Sequence, residues 1–181
     1  MKKSTYLITL FLALTFISCS KDDGDSASEP ESSASLIAGD WDLTNFEIAD
    51  GKSTLSVQGQ TSVMDYSSTG KNFASVITFS ENPNTLISSG SFDTVIEMSA
   101  DGVTAFTQEV PGEDYLITGT WKLEGDKLTI TNEALEQTDI ANVLTLDTTP
   151  LIFEIKLNRT LQVSGFPFEL EGTAVYTLKR K

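Results

Sequence analysis

The chain has 181 residues, enough for one ordinary domain, with 39 % hydrophobic and 21 % charged side chains, the balance of a globular protein. Its formal net charge is -14 with no histidine; this repels nucleic acid and anionic lipid headgroups and excludes Ser-His-Asp triads, Cys-His dyads and imidazole metal sites. A single cysteine leaves no internal disulfide and no paired-cysteine redox motif.

The first element is a leader. Lys2 and Lys3 form a positive start, and Tyr6 to Ile17 is an apolar run. That run is shorter than the roughly 20 residues needed to span a bilayer. The small Ser18 follows it, so residues 1–18 read as a secretory signal peptide. The segment Phe16-Ile17-Ser18-Cys19 resembles the lipobox of bacterial lipoproteins, with Phe16 in place of the usual leucine. The resemblance implies cleavage before Cys19, acylation of Cys19 and a membrane anchor of several acyl chains. Ser20-Lys21-Asp22-Asp23 resembles the lipoprotein export signal of Bacteroidota-type bacteria. It implies an outer-membrane protein displayed on the cell surface, with Lys21, Asp22 and Asp23 as the signal. The same acids do not make a metal site, because the later ligands of a calcium loop are missing.

Residues 20–35 are rich in Ser, Asp and Glu and hold no large apolar side chain. They bury too little surface to offset chain entropy, so residues 19–35 are expected to be a lipidated flexible tether. One domain is expected over residues 36–181.

That domain reads as all-β. Phe73, Ser75, Ile77 and Phe79 alternate with Ala74, Val76 and Thr78. The period of two recurs at Phe92, Thr94, Ile96 and Met98, at Leu151, Phe153, Ile155 and Leu157, and at Ala174, Tyr176 and Leu178. Turn signals separate these runs at Asp101-Gly102, Pro111-Gly112, Gly125-Asp126 and Gly165. Short strands between such turns make an antiparallel barrel or a β-sandwich. The polar stretch from Gly51 to Asn72 reads as a long loop or a further strand, with Leu55, Val57, Val63 and Met64 as its apolar residues. The segment Asn132 to Ala141 is the best place for a helical turn or a loop.

The sharpest hairpin runs from Gly119 to Ile130. A two-residue turn at Gly125-Asp126 would set Glu124 opposite Lys127, Leu123 opposite Leu128 and Trp121 opposite Ile130. The two apolar pairs then share one face. A second Gly-x-Trp occurs at Gly39-Asp40-Trp41, but the sequences after the two diverge at once, which argues against a repeat.

The segment Leu36 to Leu43, with its Gly-x-Trp soon after the tether, and the Gly119–Leu128 hairpin resemble the lipocalin-like domain of Bacteroidota-type lipoproteins. The resemblance implies an up-and-down antiparallel β-barrel of about eight strands. Trp41 would plug its closed end, Arg180 would pack over that indole, and Trp121 would be structural. The barrel is expected to bind a small hydrophobic ligand, with Phe73, Ile77, Phe79, Phe92, Ile96, Tyr115, Phe153 and Tyr176 as its lining. The alternative expectation is a surface adhesion or glycan-contact protein with a filled, non-binding barrel, using Tyr66, Phe166 and Phe168 as exposed aromatics. The many acids include no distinguishable catalytic pair, and Glu113 and Asp114 sit in a turn where acids are routine. No enzymatic activity, cofactor, metal or nucleic-acid partner is therefore expected.

Overall fold

The computed structural model describes residues 33–113, 118–163 and 166–181. A short helix α1 (Ser33–Ile37) is followed by β1 (Gly39–Val57), β2 (Gln60–Lys71), β3 (Val76–Ser80), β4 (Thr85–Ser89), β5 (Phe92–Ala100) and β6 (Val103–Glu113). Then come β7 (Gly119–Glu124), β8 (Lys127–Asn132), a 3-10 turn (Glu133–Leu135), β9 (Gln137–Leu146), β10 (Leu151–Val163) and β11 (Phe166–Arg180).

These eleven segments make eight strands of an up-and-down barrel, because three strands are each broken into two pieces. The hairpin of β3 with β4 continues into the pairing of β2 with β5. Likewise Phe92 pairs with Glu113, and Leu86 pairs with Gly119 the same number of residues further along. The register therefore survives the interruption between β6 and β7. Every pairing is antiparallel, and β1 against β11 closes the circle. The fold is thus the barrel, and closure leaves no sandwich edge along β1 and β11.

Local chemistry sets the turns. Gln58-Gly59 and Asp101-Gly102 have positive φ at both central residues, 51° and 80°, and 52° and 76°. That is the twist-matched type I′ geometry. Gly125 has φ 62° at the first central position of the β7–β8 turn. The register there is Glu124 with Lys127, Leu123 with Leu128 and Trp121 with Ile130, as the sequence predicts. The Gly51–Asn72 stretch is strand, the upper part of β1 and all of β2, joined by a two-residue turn. The Asn132–Ala141 segment is a single 3-10 turn leading into β9, with Asn132 capping it through Leu135 N–H at 3.0 Å.

The barrel has two unlike halves. In the lower half β1, β3, β4, β7, β8, β9, β10 and β11 form a complete ring. In the upper half β2, β5 and β6 continue the sheet from β1, and among the described residues β6 is bonded to β5 alone. Residues 103–109 of β6 are all exposed, so this strand is a free edge.

Candidate functional site

The closed end is built around Gly-x-Trp. Trp41 is fully buried and its Nε1–H donates to Ile37 O at 2.8 Å, which fastens α1 across the barrel floor. The Arg180 guanidinium lies 4.2 Å from the centre of the Trp41 ring. Its Nε donates to Thr148 O at 3.0 Å and its Nη1 to Ala38 O at 2.8 Å, while Nη2 donates to Leu36 O. Gly39 has φ +128°, and a Cβ there would fall 2.6 Å from Arg180 Nη1. The motif's glycine is the space that arginine occupies. Trp121 is also buried; it donates from Nε1 to Ser80 O at 3.0 Å and meets Phe79 edge-on at 5.8 Å.

Above that floor the interior is filled with rings and branched chains. Of the proposed lining residues, Ile77, Phe79, Phe92, Phe153 and Tyr176 are at most 2 % exposed. They pack on one another: Phe153 stacks on Tyr176 at 5.1 Å, Tyr176 meets Phe46 at 5.2 Å, and Phe46 meets Phe92 at 5.2 Å. Phe73 and Ile96 are partly buried at the edge of this cluster, with Phe73 stacked on Phe92 at 5.5 Å. Tyr115 lies outside the described residues, as do Cys19, Lys21, Asp22 and Asp23.

One expectation is overturned. Tyr66 reads from sequence as a loop aromatic, yet it sits in β2 and is 6 % exposed. A Cβ on Gly51 would meet its ring at 2.3 Å, so the glycine makes a seat for the tyrosine across the β1–β2 ladder. Phe166 and Phe168 belong to β11 rather than to a loop.

The mouth is where the inward side chains lose their cover. Along β5, Phe92 and Thr94 are buried, but Ile96 and Met98 are only partly so. Along β10, Leu151, Phe153 and Ile155 are buried and Leu157 is partly exposed. Along β1 the change falls between Ser53 and Leu55. At the tip of the β1–β2 hairpin a hollow of about 440 Å³ is lined by Leu55, Val57, Gln58, Gln60, Thr61 and Ser62. Of the apolar residues singled out in this stretch, Leu55 and Val57 line the hollow, while Val63 is 57 % exposed. Phe106 on the free edge pairs with Met98 and is 49 % exposed.

Few polar groups are perturbed. Asp93 accepts from Asn72 Nδ2 at 2.6 Å and from Gly112 N–H at 3.1 Å. These bonds hold its carboxyl below the usual aspartate range, the Asn72 bond contributing most. Lys52 is raised by its hydrogen bond and charge pairing with Asp65 at 2.7 Å. Among the described residues no group of three or more Cys, Asp or Glu side chains is placed to hold a metal.

A family model for the lipocalin-like domain matches residues 37–153, from the floor helix to the middle of the core on β10. No curated protein and no solved structure matches the chain. With the matched segment covering most of the closed eight-stranded barrel, the chain belongs to the lipocalin-like domain family.

Proposed function

We propose that the barrel binds a small hydrophobic ligand at its open mouth and acts by binding rather than catalysis. The observation that carries this reading is that β1, β5 and β10 each pass from buried to partly exposed inner side chains towards the mouth, where Leu55 and Val57 line a hollow. Rings fill the space towards the floor; towards the mouth Leu55 and Val57 line the hollow at the β1–β2 tip beside amide and hydroxyl groups, and Ile96, Met98 and Leu157 are partly exposed. Concave apolar surface with sparse polar groups is the usual form of a small-molecule site. Within the proposed lining, the partly buried Ile96 would meet the ligand, while the five fully packed residues would support the site from beneath. Native mass spectrometry of protein purified gently from cells tests the idea. A co-purifying apolar species that is lost in Met98→Asp supports it; a bare wild-type protein contradicts it.

The proposal extends to location. The leader, the lipobox-like Cys19 and the following Lys21-Asp22-Asp23 support an acylated outer-membrane lipoprotein that carries this barrel on the cell surface. A surface barrel with an apolar mouth would capture poorly soluble molecules outside the cell. The glycan-contact alternative loses one of its three exposed aromatics with the burial of Tyr66.

A further inference from the structure

The open edge of the upper sheet has a sequence that matches itself. Phe106 to Val110 of β6 lies regularly against Thr94 to Met98 of β5, with a register shift at either end. Alternate residues of a strand aim their N–H and C=O to opposite sides. Among the described residues no strand is bonded to the side of β6 away from β5. The ladder pairs Phe106 with Met98, Gln108 with Ile96 and Val110 with Thr94, so these three β6 side chains share one face. Thr107 and Glu109 share the other. Phe106 is half-exposed, and residues 107–109 are exposed beside it. Phe106 to Val110 holds no proline and no lysine, the residues that blunt open edges.

Charge favours a second copy as the partner. The chain carries a net charge of -14, so two copies repel across most of their surface. In Phe106–Val110 the one charge is Glu109, and Lys71 of the same chain pairs with it. Laid antiparallel on a second copy about Gln108, the stretch sets Phe106 opposite Val110, Thr107 opposite Glu109 and Gln108 opposite itself. An aromatic ring then meets a branched chain twice, and a hydroxyl can donate to each carboxylate. The two Gln108 amides are donor and acceptor to each other, and no like charges stand opposite.

We propose that two copies pair through β6, antiparallel about a two-fold axis at Gln108, so that one upper sheet runs into the other. The contact is isologous and closes as a dimer. So short a ladder buries less than a standard interface, which sets Kd on the order of 100 µM. Dilute protein is therefore the monomer, with a freely exchanging edge. The pairing needs no ligand in the mouth, so the two readings fail separately.

Sedimentation equilibrium of residues 20–181, which include every described residue, tests it. Wild type should be monomeric at roughly 5 µM and largely dimeric at roughly 1 mM, with amide exchange of residues 106–110 slowing over that range. Gln108→Glu and Gln108→Lys each set like charges opposite at the axis, so each alone should self-associate roughly tenfold more weakly. An equimolar mixture of the two should regain the wild-type association, because opposite charges then meet. The dimer is refuted by a wild type that stays monomeric at the higher concentration, by either variant alone matching wild type, or by a mixture that associates no better than its parts. The last result would put the contact elsewhere, as in head-to-tail pairing with the open side of β10 beyond Ile155.

Discussion

Single residues do unequal work in this barrel. Trp41 is the largest fully buried side chain and joins the floor helix, the core and Arg180 in one contact set. Trp41→Ala should cost about 3–5 kcal/mol in urea unfolding, since the space is enclosed and cannot collapse cheaply. Exposed pairs such as Lys52 with Asp65 and Lys122 with Glu124 contribute little, because solvent and salt screen them. Asp93 is a different case, because it ties the bend at Asn72 to the end of β6 at Gly112. Its folded pKa is depressed, so its contribution is present above the ordinary value of 3.8 and is lost as pH falls through the lower folded value. Stability should therefore decline below about pH 4 in the wild type, and Asp93→Asn should flatten that part of the pH profile. An unchanged acid limb in the variant would remove Asp93 from the account. Lys52, raised above 10.5, gives the opposite sign: its share is present below 10.5 and is lost as pH rises through the folded value.

At the scale of elements, the sequence was most legible where turn chemistry and alternation agree. Gly125-Asp126 and the Trp121, Leu123, Leu128 and Ile130 pattern specify one hairpin register, and the structure has that register. The Gly51–Asn72 stretch was harder because its upper half lies where the barrel wall is wet on both faces, so alternation fades at Ser62 to Met64. The Gln58-Gly59 type I′ turn was the available signal for the β1–β2 hairpin. Tyr66 read as a loop aromatic because its burial depends on Gly51, fifteen positions earlier, which no local pattern reveals. The breaks between β2 and β3 and between β4 and β5 were equally hidden, since Asn72 and Gly90 bend the chain while the pairing of the two strands resumes beyond them. The free edge makes a prediction of its own. Among the described residues strand β6 has one bonded neighbour, whereas β11 is bonded on both sides by β1 and β10. Hydrogen exchange should be fast along residues 103–109 and slow along residues 174–178. Equal protection of the two would mean that the edge is covered in solution.

For the whole molecule, the lower ring supplies stability and the upper half supplies surface. Closure by β1 on β11 and the packed rings make the floor rigid, while the open upper sheet leaves apolar side chains within reach of a ligand. The large negative charge favours solubility and repels anionic headgroups, so the proposed membrane attachment would rest on the lipid at Cys19 and not on the surface of the domain. Cys19→Ala should release the protein from the membrane fraction, read by fractionation and immunoblot. Retention of that variant in the membrane would refute acylation as the anchor. Replacing Lys21, Asp22 and Asp23 should protect the protein from protease added to whole cells; unchanged shaving would remove the export-signal reading.

The division into a filled floor and a receptive mouth is tested most directly by titrating N-phenyl-1-naphthylamine, with fluorescence as the readout, into wild type, Leu55→Asp and Met98→Asp. The account predicts a saturable rise in fluorescence for wild type and at least a tenfold weaker response for both variants, since each places a charge in the apolar wall. No rise with wild type, or a rise that both variants keep, would contradict it.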